Sequence, residues 1–167
     1  MGHVAAVFSV LAWAGADAAA QSPPGSGDSK AKVPRIGGEY VNVYKPAGDV
    51  RVATSRDFKA WKQHPPILTM KKGVDPESPS IVRYNGAFYL FVCGWNGIWD
   101  RKELQGAYQH VTYVYRSDNP PEFDPRNEVT TVNAHAPEVF QDEEGDWYIS
   151  SAQWPRRGVS IARLVWE

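Results

Sequence analysis

Two segments of the sequence place carboxylates immediately before a short apolar stretch. Residues 75–91 (DPESPSIVRYNGAFYLF) include Glu77, an Asn-Gly turn and a strongly aromatic second half. Residues 133–150 (NAHAPEVFQDEEGDWYIS) are a looser copy and include Glu138. Positioned carboxyl groups are the side chains that general acid–base chemistry uses. The two segments are therefore candidates for catalytic residues, and their similarity indicates an internal repeat.

The elements that must position these carboxylates alternate apolar and polar residues with a period of two, which predicts β-strands. Asn85-Gly86 favours a two-residue hairpin turn, because both central positions of a type I′ turn need positive φ. A helical turn is expected only at residues 100–104, so the fold class predicted is all-β. The predicted strands are 40–44, 50–54, 67–68, 80–84, 87–93, 110–116, 128–132, 138–141, 147–151 and 159–164.

Three turn glycines, Gly38, Gly86 and Gly145, are each followed two residues later by an aromatic side chain. Their spacing is typical of one four-stranded propeller blade with its loops. No strand is predicted upstream of Gly38, so the pattern indicates an incomplete blade followed by about two more. A propeller needs at least four blades to close. We therefore expect the remaining blades to come from a longer chain or a partner chain.

Composition excludes several classes of protein. The chain has 167 residues, of which 43% are hydrophobic and 22% charged, so a packed core is expected rather than disorder. The net charge of −1 gives no basic surface for nucleic acid or an anionic membrane. Aromatic residues make up 13%, which suits both β-sheets and sugar-binding clefts. Cys93, the single cysteine, is expected to be a small buried hydrophobic residue.

The chain is predicted to have three parts. Residues 1–20 resemble a signal segment, with an apolar run that ends in A-x-A patterns, although no Lys or Arg precedes the run. This segment predicts a secreted or periplasmic protein, and a frayed or helical N-terminal extension is the alternative. Residues 21–36 are rich in Pro, Gly, Ser and charge and are predicted to be a linker. Residues 37–167 form the predicted domain.

The order of several motifs resembles that of the five-bladed β-propeller glycosidases of glycoside hydrolase families 32 and 43. Residues 77–91 match E-S-P-x-[IV]-V and N-G-x-[FY]-Y-L-F, and residues 114–123 match V-Y-x-S-D-x-P-x-x-F. Residues 135–150 match H-A-P-E-[VI] and the G-x-[WY]-Y-I-S that follows, and residues 158–166 match G-[VI]-x-[IL]-A-x-L-x-W. Residues 52–61 resemble the end of an opening blade. The likeness covers residues 37–166.

The resemblance implies a glycosidase that acts on an oligo- or polysaccharide such as a β-fructoside or an arabinoside. Such enzymes use one carboxyl group to protonate the leaving oxygen and another on the opposite face of the sugar. Glu77 matches the usual general acid, and Glu138 matches an acidic position that lines the pocket. His135 and Asp75 are expected to contact the sugar. No cofactor is expected, although the family allows a Ca²⁺ ion near the axis.

One departure from the family bears on activity. The opening strand normally carries an Asp that acts as base or nucleophile, and residues 31–38 contain no Asp. The isolated chain is therefore expected to lack full activity unless another chain supplies the missing carboxylate.

Two non-catalytic interpretations stay open. Trp95, Trp99 and Trp154 are candidates for stacking on sugar rings, which would suit a carbohydrate-binding β-repeat module. The chain could also be a structural propeller piece, in which case Glu77 is only an exposed turn residue and His135 a hydrogen-bonded structural one. Asp57 is expected to cap its own turn. The acidic turn at 142–146 is expected to be solvated, with a weak Ca²⁺ site as the alternative.

Overall fold

Strands account for about two thirds of the described backbone. The computed structural model describes residues 35–46, 48–70, 74–95, 111–118, 122–152 and 158–167. Within these ranges the single helical element is a 3-10 turn at Pro125–Asn127. No helix in the described ranges has the length and apolarity needed to cross a bilayer. The helical turn predicted at 100–104 lies outside the described residues.

Eleven strands form three antiparallel sheets. The first sheet has the order β1-β2-β3-β4, the middle sheet β5-β6-β7-β8 and the third sheet β9-β10-β11. The strands are β1 Arg35–Ile36, β2 Glu39–Tyr44, β3 Asp49–Ser55, β4 Lys62–Thr69, β5 Asp75–Tyr84, β6 Ala87–Trp95, β7 Val111–Ser117, β8 Glu128–Val132, β9 Val139–Gln141, β10 Trp147–Ala152 and β11 Val159–Leu164.

The architecture is the predicted partial β-propeller, but the shorter sheet is the third and not the first. β1 lies within the segment predicted to be linker, where two residues pair with β2 and give the first sheet four strands. Gly37 and Gly38 both have positive φ, which lets the chain reverse within two residues. Among the described residues the third sheet has three strands.

The middle sheet is buried on both faces. In β6, Leu90 and Val92 pack into a cluster shared with the first sheet. Phe91, between them, packs into a second cluster with Val139 and Ile149 of the third sheet. Leu90, Phe91 and Val92 are all 0% exposed. An uninterrupted apolar run is what a strand covered on both sides requires, and it explains the aromatic second half of residues 75–91.

The turn between β5 and β6 forms as predicted. Asn85 has φ 47° and Gly86 has φ 82°, which are the positive values that a type I′ turn requires. Just before this turn, the Tyr84 ring stacks on Trp166 with their centroids 4.4 Å apart. Trp166 also contacts Trp147, so its ring joins the middle sheet to the third.

Replacing Phe91 by Ala should lower the free energy of unfolding by about 3–5 kcal/mol, because it leaves a large cavity between two sheets. Phe140 is the matched control: it is 41% exposed and stacks on Tyr148 at the surface. Phe140→Ala should cost about 1 kcal/mol or less. Urea denaturation of both variants measures the difference, and equal losses would contradict the two-sided burial of β6.

Candidate active site

Glu77 lies at a bulge near the start of β5. It pairs with Cys93 of β6, while Ser80 pairs with Phe91, so three steps along β5 are opposed by two along β6. Ser78, inside the bulge, has φ 45° and precedes a proline. Positive φ is uncommon for a residue with a side chain, and such strain tends to persist at functional sites.

The third sheet repeats this bulge at His135. The His135 carbonyl accepts a hydrogen bond from Ala152 N at 2.8 Å, and the Glu138 carbonyl accepts one from Ser150 N at 2.9 Å. Three steps on one segment are again opposed by two on its neighbour. Ala136 has φ 46° and also precedes a proline. His135 is therefore the structural equivalent of Glu77.

Cys93 connects the two bulges. It pairs with Glu77 across the β5–β6 ladder, and its sulfur lies close to the Ala136 backbone N–H. Burial raises the pKa of the Cys93 thiol, and the nearby Glu77 charge adds to that effect. The Ala136 N–H and the nearby Thr112 hydroxyl act on this pKa in the opposite direction. As expected, Cys93 is buried, with 1% exposure. The geometry thus brings Glu77 and the His135 segment together.

Asp75 is held by a cation from the first sheet. β5 extends as far as Asp75, so Asp75 and Glu77 lie two residues apart on one face of the strand. Lys45 Nζ donates to the Asp75 carboxylate at 2.8 Å. Because the two side chains are 25% and 33% exposed, this ion pair is partly shielded from water. It ties the loop after β2 to the start of β5.

Glu138 lies three residues beyond His135, at the position equivalent to Ser80 and not to Glu77. Its backbone N–H donates to Ser150 Oγ at 3.0 Å, which fixes the residue at the start of β9. The residue is exposed. Neighbouring protein atoms nevertheless desolvate its carboxyl group and raise its pKa. A carboxyl group that keeps its proton to a higher pH can act as a proton donor, so the prediction of a pocket role for Glu138 stays open.

Of the three tryptophans predicted to stack on sugar, the structure describes Trp95. Trp95 ends β6 opposite Asp75 and is half-buried. Its ring therefore belongs to the strand end that carries Asp75 and Glu77. Trp99 and Trp154 lie outside the described residues.

The acidic turn at 142–146 is organised by its own hydrogen bonds. Asp142 Oδ1 accepts a bond from Asp146 N at 2.8 Å, and Arg163 pairs with Asp146 at 2.6 Å. Within the described part of the chain, no three His, Cys, Asp or Glu side chains are close enough to bind a metal ion.

Several residues that build the site were not predicted from the sequence. Lys45 directly follows the predicted strand 40–44, and Ser150 and Ser151 lie in the predicted strand 147–151 without a predicted role in the site. Yet Ser151 Oγ accepts a hydrogen bond from His135 N at 3.0 Å, next to the bond between Ser150 and Glu138. The sequence signal for these two bonds is the pair of consecutive serines in the strand that lies opposite the His135 segment. By contrast, Asp57 caps its own turn as predicted, accepting bonds from the Lys59 and Ala60 N–H groups.

Glu138 and Asp57 should change stability in opposite directions as the pH varies. Because burial raises the Glu138 pKa, the ionised group lowers the free energy of unfolding once the pH exceeds its unfolded value of about 4.3. Glu138→Gln should therefore raise the melting temperature at pH 7, and the gain should disappear near pH 3.

Backbone N–H groups of Ala60 and Lys59 lower the Asp57 pKa, so its stabilisation is complete above about pH 4 and is lost in acid. Asp57→Asn should lower the melting temperature at pH 7, and this deficit should shrink toward pH 2. Thermal unfolding of both variants from pH 2 to 8 measures the two trends. Trends of the same sign would contradict the assignment.

Comparison with known proteins connects this geometry to a family. The model of glycosyl hydrolases family 43 matches residues 27–165. No curated protein sequence matches the chain significantly. Among solved structures, the chain is similar to an exo-beta-1,3-galactanase from Clostridium thermocellum, with TM-score 0.61 and 17% identity over 78% of this chain and 33% of that one.

Two further structures have the same fold. A xylan beta-1,4-xylosidase from Bacillus halodurans has TM-score 0.59 and 18% identity, and the match covers 77% of this chain and 27% of the xylosidase. An endo-arabinase from Bacteroides thetaiotaomicron has TM-score 0.56 and 22% identity, and 77% of this chain covers 46% of it. The chain thus spans about a quarter to a half of the length of these proteins. Its three sheets are part of a five-bladed propeller, and the chain belongs to glycosyl hydrolases family 43.

Proposed function

We propose that this chain carries one side of a glycosidase active site, with Glu77 as the general acid. The observation that carries the proposal is the repeated proline bulge, which presents Glu77 and His135 at equivalent points of neighbouring sheets. Two strained bulges joined through Cys93 are a costly arrangement for a purely structural strand end. Membership of a family of glycosyl hydrolases supports the same conclusion.

In this proposal Glu77 donates its proton to the glycosidic oxygen as the bond to the sugar carbon breaks. A second carboxyl group on the opposite face of the ring must activate water or attack the same carbon. Asp75 does not suit that role, because Lys45 already engages its carboxylate. His135, at the equivalent point of the neighbouring sheet, orients the sugar hydroxyls.

The second carboxyl group is proposed to come from blades outside the described sheets, on a longer chain or a partner chain. The third sheet has an open face on which Phe140, Val159 and Ile161 are exposed, at 41%, 68% and 62%. Both faces of the middle sheet are covered by neighbouring sheets. A further sheet packed on the third would bury these side chains in the same way.

The proposed substrates are arabino-oligosaccharides, with β-fructosides as the second choice. An endo-arabinase is among the similar structures, which supports testing arabinan-derived oligosaccharides first. Xylo- and galacto-oligosaccharides belong in the same panel, because a xylosidase and a galactanase share the fold. Such polymers lie outside cells, in keeping with the proposed export signal at residues 1–20. Sequencing the N-terminus of protein recovered from the medium would test export, and an intact Met1 would contradict it.

In protein assembled with the blades that supply the second carboxyl group, Glu77→Gln should lower kcat on the preferred oligosaccharide by about 10²–10⁴-fold, because Gln keeps the shape of Glu but has no acidic proton to give. KM should change little. Glu144→Gln, on the exposed acidic turn, is the matched control and should keep wild-type kcat. Reducing-sugar release measures both variants. Equal rates for the wild type and Glu77→Gln would remove Glu77 as the acid.

A non-catalytic carbohydrate-binding module is the second candidate, and the position of Trp95 favours it. This half-buried ring lies at the end of β6 opposite Asp75, where a sugar could stack on it. If the chain binds without turnover, oligosaccharides should quench tryptophan fluorescence while no reducing sugar appears. Trp95→Ala should then weaken binding about tenfold, whereas Glu77→Gln should leave affinity nearly unchanged. Turnover that depends on Glu77 would exclude this candidate.

A further inference from the structure

We propose that Thr112 and Cys93 are positioning residues that hold His135 at a fixed separation from Glu77. This inference rests on the proposed function, because His135 and Glu77 are the groups that Thr112 and Cys93 position. The contacts that support it are separate from those that support the proposed function. Neither residue touches the proposed sugar site directly, and both are buried in the middle sheet.

The two residues form a pair that faces the segment around His135. Cys93 and Thr112 are directly opposite each other on β6 and β7. The Thr112 hydroxyl donates to the Ala134 carbonyl at 2.8 Å, across 22 residues of sequence. The Ala136 N–H lies close enough to the Cys93 sulfur to lower the pKa of the thiol. The residue before His135 is therefore hydrogen-bonded to the middle sheet, and the residue after it contacts the same sheet.

His135 itself is attached to the third sheet. Its N–H donates to Ser151 Oγ at 3.0 Å, and its carbonyl accepts from Ala152 N at 2.8 Å. Successive residues are thus bound alternately to one sheet and the other. This alternation places His135 at the junction between the two sheets and leaves its backbone little freedom to shift.

The arrangement also explains how the positive φ of Ala136 is maintained. A residue before proline strongly prefers extended backbone, and positive φ strains a residue that has a side chain. Such strain persists only where surrounding contacts over-determine the conformation. The Cys93 sulfur supplies one of those contacts at Ala136 itself, and Pro137, which follows, is fully buried. Because Cys93 also pairs with Glu77, one residue fixes both sides of the proposed site.

Thr112 is a costly residue to bury for packing alone. It is 0% exposed, and a buried hydroxyl group is tolerated only when it is hydrogen-bonded. Valine has nearly the same shape and would fill the position without a polar group. What the Thr112 hydroxyl adds is therefore its hydrogen bond to the Ala134 carbonyl, and this bond is its positioning role.

The test compares variants that keep each hydrogen bond with variants that remove it. Cys93→Ser and Thr112→Ser retain a polar atom, whereas Cys93→Ala and Thr112→Val do not. Amide hydrogen exchange at His135 and Ala136 is the readout, with amides of β3 in the first sheet as the reference for global unfolding. Exchange at Ala136 should accelerate about tenfold or more in Cys93→Ala and Thr112→Val relative to the serine variants, while β3 amides change less.

Activity adds a second, separable readout. On the oligosaccharide that the wild type turns over, Cys93→Ala and Thr112→Val should lower kcat at least fivefold, and the serine variants should restore most of it. If hydrogen exchange at Ala136 accelerates as expected but no substrate is turned over, the positioning role of Thr112 and Cys93 is supported and the proposed catalysis is wrong. If β3 and Ala136 amides accelerate together, or if the serine variants behave like Ala and Val, the residues only pack and the proposal is wrong.

Discussion

The structure depends on burying one sheet from both sides. Leu90, Phe91 and Val92 have no exposed surface, because β6 is packed against the first sheet on one face and the third sheet on the other. Apolar burial contributes roughly 25 cal/mol per Å² removed from water, so a strand that is covered on both faces stabilises the fold through both of them. The same packing fixes where the ends of β5 and β9 meet. The proposed chemistry occurs at that meeting point, on strands whose apolar parts cannot move independently.

In β5 and in the segment from His135 to β9, one part packs into the core and the other part contains the strained bulge. In β5, the half that follows the bulge is apolar and packs into the core, while the half before it carries Asp75 and Glu77. The bulge lets the strand change which side chains it presents without losing its ladder. The segment from His135 to β9 is organised in the same way with a different polar residue at its head. The same backbone conformation therefore presents the Glu77 carboxyl group in one sheet and the His135 imidazole in the other. Such reuse is possible because the two sheets are repeats of one unit.

Local sequence patterns predicted the strands well because their causes are local. Alternation and the Asn85-Gly86 turn are visible within a few residues, and the hairpin they predict forms as expected. The bulges were missed because positive φ at Ser78 and Ala136 opposes the preference of a residue before proline. Only contacts from distant strands stabilise it. The Lys45–Asp75 ion pair was missed for the related reason that its partners are 30 residues apart and meet only through sheet packing.

The position of β11 at the end of the third sheet has a consequence for how the protein behaves in concentrated solution. Among the described strands β11 is an edge strand that pairs with β10, and its side chains Val159 and Ile161 are exposed. An apolar strand edge of this kind is a template for adding another strand. A surface that suits one correct neighbour also suits incorrect ones, including a second molecule of the same protein. Solubility is thus linked to completion of the propeller, because the neighbour that completes the fold also removes the surface on which aggregates would grow.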